Sequence, residues 1–274
     1  MSTLAMHGAG LRPARPFNRL FLGLFGAERL FAATALVLLM MIPPTLLAMA
    51  FDGRTLLGEN LWIKPLKFEI SLTLYFLTLA FCARWLPAGM TETRWYRLFA
   101  GGVVLCTALE MIWIVSAATQ GIQSHFNTTN PLMAALYPLM GALATYLTSS
   151  SLIYGLAIRR AVKLGGGGLS LEPAFRFSVI WGLILTFALT VPVAGGMAVA
   201  FPGHAVGAGD LRVPHFLATH AMHFLPLAGY AAGRLLPARM ALPAVRLFTL
   251  GFVLFVAYSF AEAAMGFGFL GLIF

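Results

Sequence analysis

Charge is what this sequence has least of. Only 10% of its 274 residues are Asp, Glu, Lys or Arg, and the nine acids are outnumbered by 18 bases. Soluble domains typically carry about a quarter of their residues charged, so a soluble globular fold is excluded. Cysteine is nearly absent as well. Cys82 and Cys106 lie inside apolar stretches without CxxC spacing, which excludes a disulfide framework or thiolate cluster and leaves two small buried hydrophobes. A cleavable leader is not expected, because Met1 to Pro16 is polar and arginine-bearing and the first long apolar run begins near Leu30. No internal repeat is visible, so an inverted-repeat transporter gains no support.

What is present in excess is hydrocarbon: 60% of residues are hydrophobic and the mean hydropathy is +0.87. A membrane span needs roughly 20 mostly apolar residues. Seven such stretches are predicted, at 30–51, 65–86, 97–119, 132–157, 175–200, 213–234 and 245–272. Two parts follow: a cytoplasmic N-terminal segment, 1–29, and a transmembrane domain, 30–274. In the first, Phe17, Leu20, Phe21, Leu24 and Phe25 recur at helical spacing, which predicts a short interfacial amphipathic helix. Pro43 and Pro44 in the first span, and Pro192 with Gly195 and Gly196 in the fifth, should kink or break their helices.

The net charge of +9 is explained by loop asymmetry rather than by nucleic acid, which is not an expected partner. Fourteen of the 18 basic residues fall on the N-terminal side of the bilayer and only Arg54, Lys64, Lys67 and Arg212 on the other. The positive-inside rule then places the N-terminus in the cytoplasm and the C-terminus outside, which requires an odd number of spans. The prediction is an all-α polytopic transmembrane helix bundle with seven spans, whose main partner is the lipid bilayer.

The outer loops hold the residues capable of chemistry. Lys-Pro-Leu-Lys-Phe at 64–68, Ser-His-Phe-Asn at 124–127 and the Asp-Leu-Arg-Val-Pro-His-Phe-Leu-Ala-Thr-His-Ala run at 210–221 resemble segments of bacterial multi-pass membrane proteins of unassigned function. That resemblance implies a cell inner-membrane location and transfers no activity.

Ionisable residues inside a bilayer are costly and therefore point to function. At about 1.5 Å per residue, Glu110 and Glu262 should lie roughly 13 to 15 Å below the outer edge, and His220 and His223 at about 10 and 15 Å. His220 and His223 are three apart and share a helical face, with His215 about 80° from His223 round the wheel. Lys64 is expected to snorkel to the headgroups, and Lys67 to face the bundle in line with Ser71 and Tyr75. The hydroxyl stripe of the fourth span, from Thr145 through Ser151 to Tyr154, reads best as interhelical glue.

These residues suggest three classes of chemistry. An outer-facing site could use Glu110, Lys67 and Asp210 as acid, base or anchor, with His125, His215, His220 and His223 as ligands to a transition metal such as zinc, iron or copper. The zinc signature HExxH is absent, as are the SxxxH and HxxxH patterns of the seven-span hydrolases related to alkaline ceramidase and the adiponectin receptors. The substrate expected is a small or lipid-soluble molecule or an ion. A proton- or cation-coupled transporter, channel or sensor would use the same acids and imidazoles. Haem is the third class, and it would have to recruit His125 or a methionine opposite the sixth span.

Overall fold

The computed structural model describes residues 26–125, 127, 131–166, 171–200 and 211–267, without the side chains of 198–200. The expected interfacial helix and Asp210 therefore lie outside the described residues. The fold is all-α apart from one short hairpin. Helix α1 is Arg29–Phe51, strands β1 and β2 are Thr55–Leu56 and Glu59–Asn60, and α2 is Ile63–Cys82. Then follow α3 (Arg94–Gln120), α4 (Pro131–Lys163), α5 (Pro173–Ala200), α6 (Arg212–Thr219), α7 (Ala221–Leu235) and α8 (Ala238–Ala264).

Among the described residues, six helices are long and apolar enough to cross a membrane: α1, α2 extended to Trp85, α3, α4, α5 as far as Met197, and α8. The stretch expected as one span at 213–234 is instead two helices, α6 and α7, that meet at His220. The last helix begins seven residues before the predicted 245 and ends at Ala264. Pro43 and Pro44, by contrast, sit inside an unbroken α1, and Pro192 inside an unbroken α5.

Burial differs from that of a soluble protein in two respects. Met40 and Leu247 are about 70% exposed, at 70% and 71%, whereas Glu69, Ser150, Ser151 and Glu262 are fully or almost fully buried. Apolar side chains outward and polar groups inward are what a hydrocarbon solvent selects, since buried polar groups must find partners within the bundle. Helix α1 packs on α2, α4 lies between α3 and α5, and α5 packs most extensively on α7, with α8 against both. Phe31, Phe76 and Tyr154 form an aromatic contact at the centre of the largest apolar cluster.

Glycine makes the α5–α7 contact possible. A Cβ at Gly229 would overlap the Ser178 hydroxyl, and one at Gly182 would sit 3.1 Å from the Ala221 carbonyl. The hydroxyl stripe of α4 serves packing, as expected: Tyr75 and Ser150 are hydrogen-bonded at 2.8 Å, and Tyr96 and Tyr154 at 2.6 Å. Its outward members, Thr145, Thr148 and Ser149, return their protons to carbonyls of their own helix.

Candidate acid–base site

The hairpin and the α3–α4 loop together build the site. Asp52 closes α1 and accepts hydrogen bonds from Arg54 at 2.7 Å and from the Trp62 indole at 3.0 Å. These partners hold its carboxyl well below the usual carboxylate range, Arg54 contributing most. Asn60 donates to the Asp52 carbonyl, and Arg54 to the carbonyl of Thr119 near the end of α3. The start of α2, and Lys64 with it, is thereby tied to the ends of α1 and α3.

On the other side, α3 stops at Gly121, whose φ of 69° is a left-handed cap that favours glycine. The Gly121 and Ile122 N–H groups satisfy the last carbonyls of α3. The loop then folds back: the Trp113 indole donates to the Ser124 carbonyl, and Asn127 to the carbonyl of Gln123. This places His125 over the helix that carries Glu110.

Three titratable side chains meet there. Lys64 Nζ lies 3.1 Å from His125 Nδ1, Ser124 Oγ lies 3.0 Å from the same nitrogen, and His125 Nε2 is 3.9 Å from Glu110 Oε2. An ammonium can only donate. His125 Nδ1 must then accept, which leaves the imidazole proton on Nε2, facing Glu110. Burial, followed by the Lys64 and His215 charges, lowers the His125 pKa to about 3, so the ring is neutral across the physiological range. Phe68 stacks on one side of the ring and Tyr137 meets it edge-on. Glu110 is 5% exposed, and its Oε1 has no hydrogen-bond partner.

A second group follows deeper in the bundle. His220 Nδ1 and His223 Nδ1 are 3.0 Å apart, and His223 Nε2 is 3.1 Å from Thr78 Oγ1 on α2. The Thr78 hydroxyl donates to the Leu74 carbonyl at 2.8 Å, so it accepts from His223 Nε2–H. His223 Nδ1 must then accept from His220 Nδ1–H. The chain of donors runs in one direction, from His220 through His223 to Thr78, and leaves His220 Nε2 with an open lone pair. Phe216 packs on the His220 ring, with centroids 4.3 Å apart.

The expected cluster of Glu110, His125, His215 and His220 with Lys67 is thus two groups, and its lysine is a different one. Lys67 is 65% exposed and lies 3.7 Å from Glu59, whereas Lys64 reaches His125. The reason is register. Lys64, Phe68, Ser71 and Tyr75 are spaced four, three and four and follow the inward stripe of α2, and Lys67 stands one step outside it. His215 acts on His125 electrostatically, and its Nδ1 is buried without a hydrogen-bond partner. Glu262 is buried and accepts from Tyr258 of its own helix at 3.2 Å. Among the described residues, no three His, Cys, Asp or Glu side chains converge closely enough to hold a metal.

No known protein family, characterised protein or solved structure matches this chain. Any functional reading of it rests on the geometry above. Sequence reasoning overlooked Lys64, Ser124 and Thr78 as partners. The first was signalled by the 64–68–71–75 stripe, whereas Thr78 carried no signal, because its contact depends on how α2 and α7 are rotated against each other.

Proposed function

We propose that this multi-pass membrane protein carries a proton-exchanging acid–base site of Lys64, His125 and Glu110, acting on a small or lipid-soluble substrate. The observation that carries the reading is the polarity of His125, whose only proton faces a buried carboxyl with one oxygen unpartnered. A group shared between an imidazole N–H and a carboxylate can take a proton from a substrate or return one, and Lys64 sets the local potential. The 3.9 Å gap is long for a hydrogen bond, and such gaps commonly close when substrate arrives.

Infrared difference spectroscopy between pH 8 and pH 5, on protein in lipid, tests this. A carboxyl stretch should appear, vanish in Glu110→Gln and move in both Lys64→Met and His125→Asn. A spectrum unchanged by Glu110→Gln would remove the site.

A second reading is favoured by one specific observation. From Lys64 to Thr78 is 14 residues of α2, about 21 Å at 1.5 Å per residue, and polar contacts occur at both ends. A proton path toward the cytoplasm would use that row, with His215, coupled electrostatically to His125 and to His220, linking the two groups. Proton flux in proteoliposomes, lost in His223→Phe, would select this reading over catalysis on a bound substrate.

The proposed frame is seven spans in an inner membrane, with α6 and α7 together forming the sixth over about 36 Å. Its support is the 14 to 4 division of basic residues. Reporter fusions after Arg160 or Arg239 should then read cytoplasm, and those after Asn127 or at the C-terminus the outside. A cytoplasmic C-terminus would refute it.

A further inference from the structure

We propose that a cavity between α1 and α2, lined by none of Lys64, His125 and Glu110, binds a primary ammonium group carried on a hydrocarbon chain. The cavity measures about 590 Å³ and is walled by Leu36, Val37, Met40, Thr45, Trp62 and Glu69, with further apolar residues of α1 and Val115 of α3.

Its polar wall is made of acceptors. Glu69 is 0% exposed and accepts the Thr45 hydroxyl on Oε1 at 2.6 Å, while Oε2 has no partner. Pro44 lacks an N–H group, so the carbonyl of Met40, a residue of the cavity wall, loses its usual donor four residues on. The Thr45 proton is committed to Glu69, and the Trp62 indole N–H to Asp52. Among the described residues, no basic side chain lines the wall. A buried site of acceptors calls for a ligand headgroup rich in donors, and an ammonium has three and no acceptor.

The rest of the wall specifies the tail. Val37 and Met40 are 61% and 70% exposed on the outer face of α1, so the cavity borders the lipid and a chain can lie along it. A free long-chain amine and phosphatidylethanolamine offer this same chemistry.

The test is saturable binding of radiolabelled dodecylamine to the full chain in phosphatidylcholine nanodiscs. Saturable binding is expected, with no competition from dodecanol. Glu69→Gln should weaken it by about tenfold or more, the scale of losing one charge-assisted hydrogen bond. Met40→Trp, which fills the cavity from its lipid side, should do the same without altering the buried carboxyl. Competition by phosphatidylethanolamine would assign the natural source to the bilayer, and its absence would assign it to a free amine; either supports the site. Absent saturable binding, equal competition by dodecanol, or unchanged affinity in both variants would overturn it. Glu110→Gln should leave binding intact, so the fate of this site is separable from that of the acid–base site. An equal loss in that variant would also overturn it.

Discussion

Acid should destabilise this protein through His125. In the unfolded chain an imidazole takes its proton near pH 6.5, whereas in the fold burial and the Lys64 and His215 charges hold it to about pH 3. The folded form is therefore the one that binds fewer protons between these values. Its advantage is complete above pH 6.5 and shrinks as pH falls toward 3. At pH 5 the loss is about 2 kcal/mol, since each pH unit below the unfolded value costs about 1.4 kcal/mol. The side chain is 22% exposed, so screening by water removes little of this.

The assay is reversible unfolding in detergent at pH 7.5 and pH 5, for the wild type and for His125→Asn. Wild type should lose about 2 kcal/mol more than the variant across that interval. Lys64→Met should recover part of the difference, because one of the two opposing charges is gone. Equal acid sensitivity of wild type and His125→Asn would refute the burial and the tautomer assignment together.

The two lysines of α2 should separate cleanly: Lys67→Ala is expected to change stability by less than about 1 kcal/mol, as for an exposed pair, whereas Lys64→Ala should alter the Glu110 carboxyl signal. Equal effects in thermal melts and infrared spectra would reverse the assignment. Gly229→Ala should destabilise by about 1–3 kcal/mol, because its methyl overlaps Ser178 on α5, and an unchanged unfolding midpoint would show that the α5–α7 contact is looser than described. In Arg54→Ala the Asp52 carboxyl should return toward the ordinary range, since its largest partner is lost. The emission of Trp62, which donates to that carboxylate, should then titrate as pH falls through 4 while the wild type stays flat, and identical curves would count against the pairing.

The sequence makes the membrane class and most spans legible, because apolar runs and loop charges respond to one dominant solvent. It also makes Glu110 and the histidines legible as residues out of place in that solvent. Which of them meet was decided by information of another kind. His220 and His223 pair because they are three apart on the chain, a local fact. His125 reaches Glu110 because a left-handed Gly121 and the Trp113 indole fold the loop back, which only the packed structure reveals. The choice of Lys64 over Lys67 turned on a single step of helical register, and equating Lys67 with the Ser71–Tyr75 line selected the wrong one. Thr45 and Glu69 pair across two helices with no spacing rule to announce it.

The break at His220 shows how the bundle accommodates a feature that its own sequence argues against. Ala218, Thr219, His220 and Ala221 contain neither proline nor glycine, and intrinsic preference alone would let the helix continue. Pro226 lies one and a half turns on, and its Cδ meets Gly182, so α7 is seated on α5 where the chain would otherwise run straight. Ending α6 at Thr219 frees backbone groups that lipid cannot satisfy. Helix α5 supplies the remedy: the Thr186 hydroxyl accepts from the Met222 N–H at 2.8 Å while donating to the Gly182 carbonyl, and Gly182 leaves room for the Ala221 carbonyl. The result is a histidine at the junction of two helices, bonded to the next imidazole and keeping one nitrogen open. Thr186→Val removes the acceptor of the Met222 N–H beside this junction and should weaken the His220–His223 contact although it touches neither ring. The two-histidine signal in nitrogen-15 spectra of labelled protein is the measurement, and a hydrogen-bonded pair that survives in Thr186→Val would show that the break is held by packing alone.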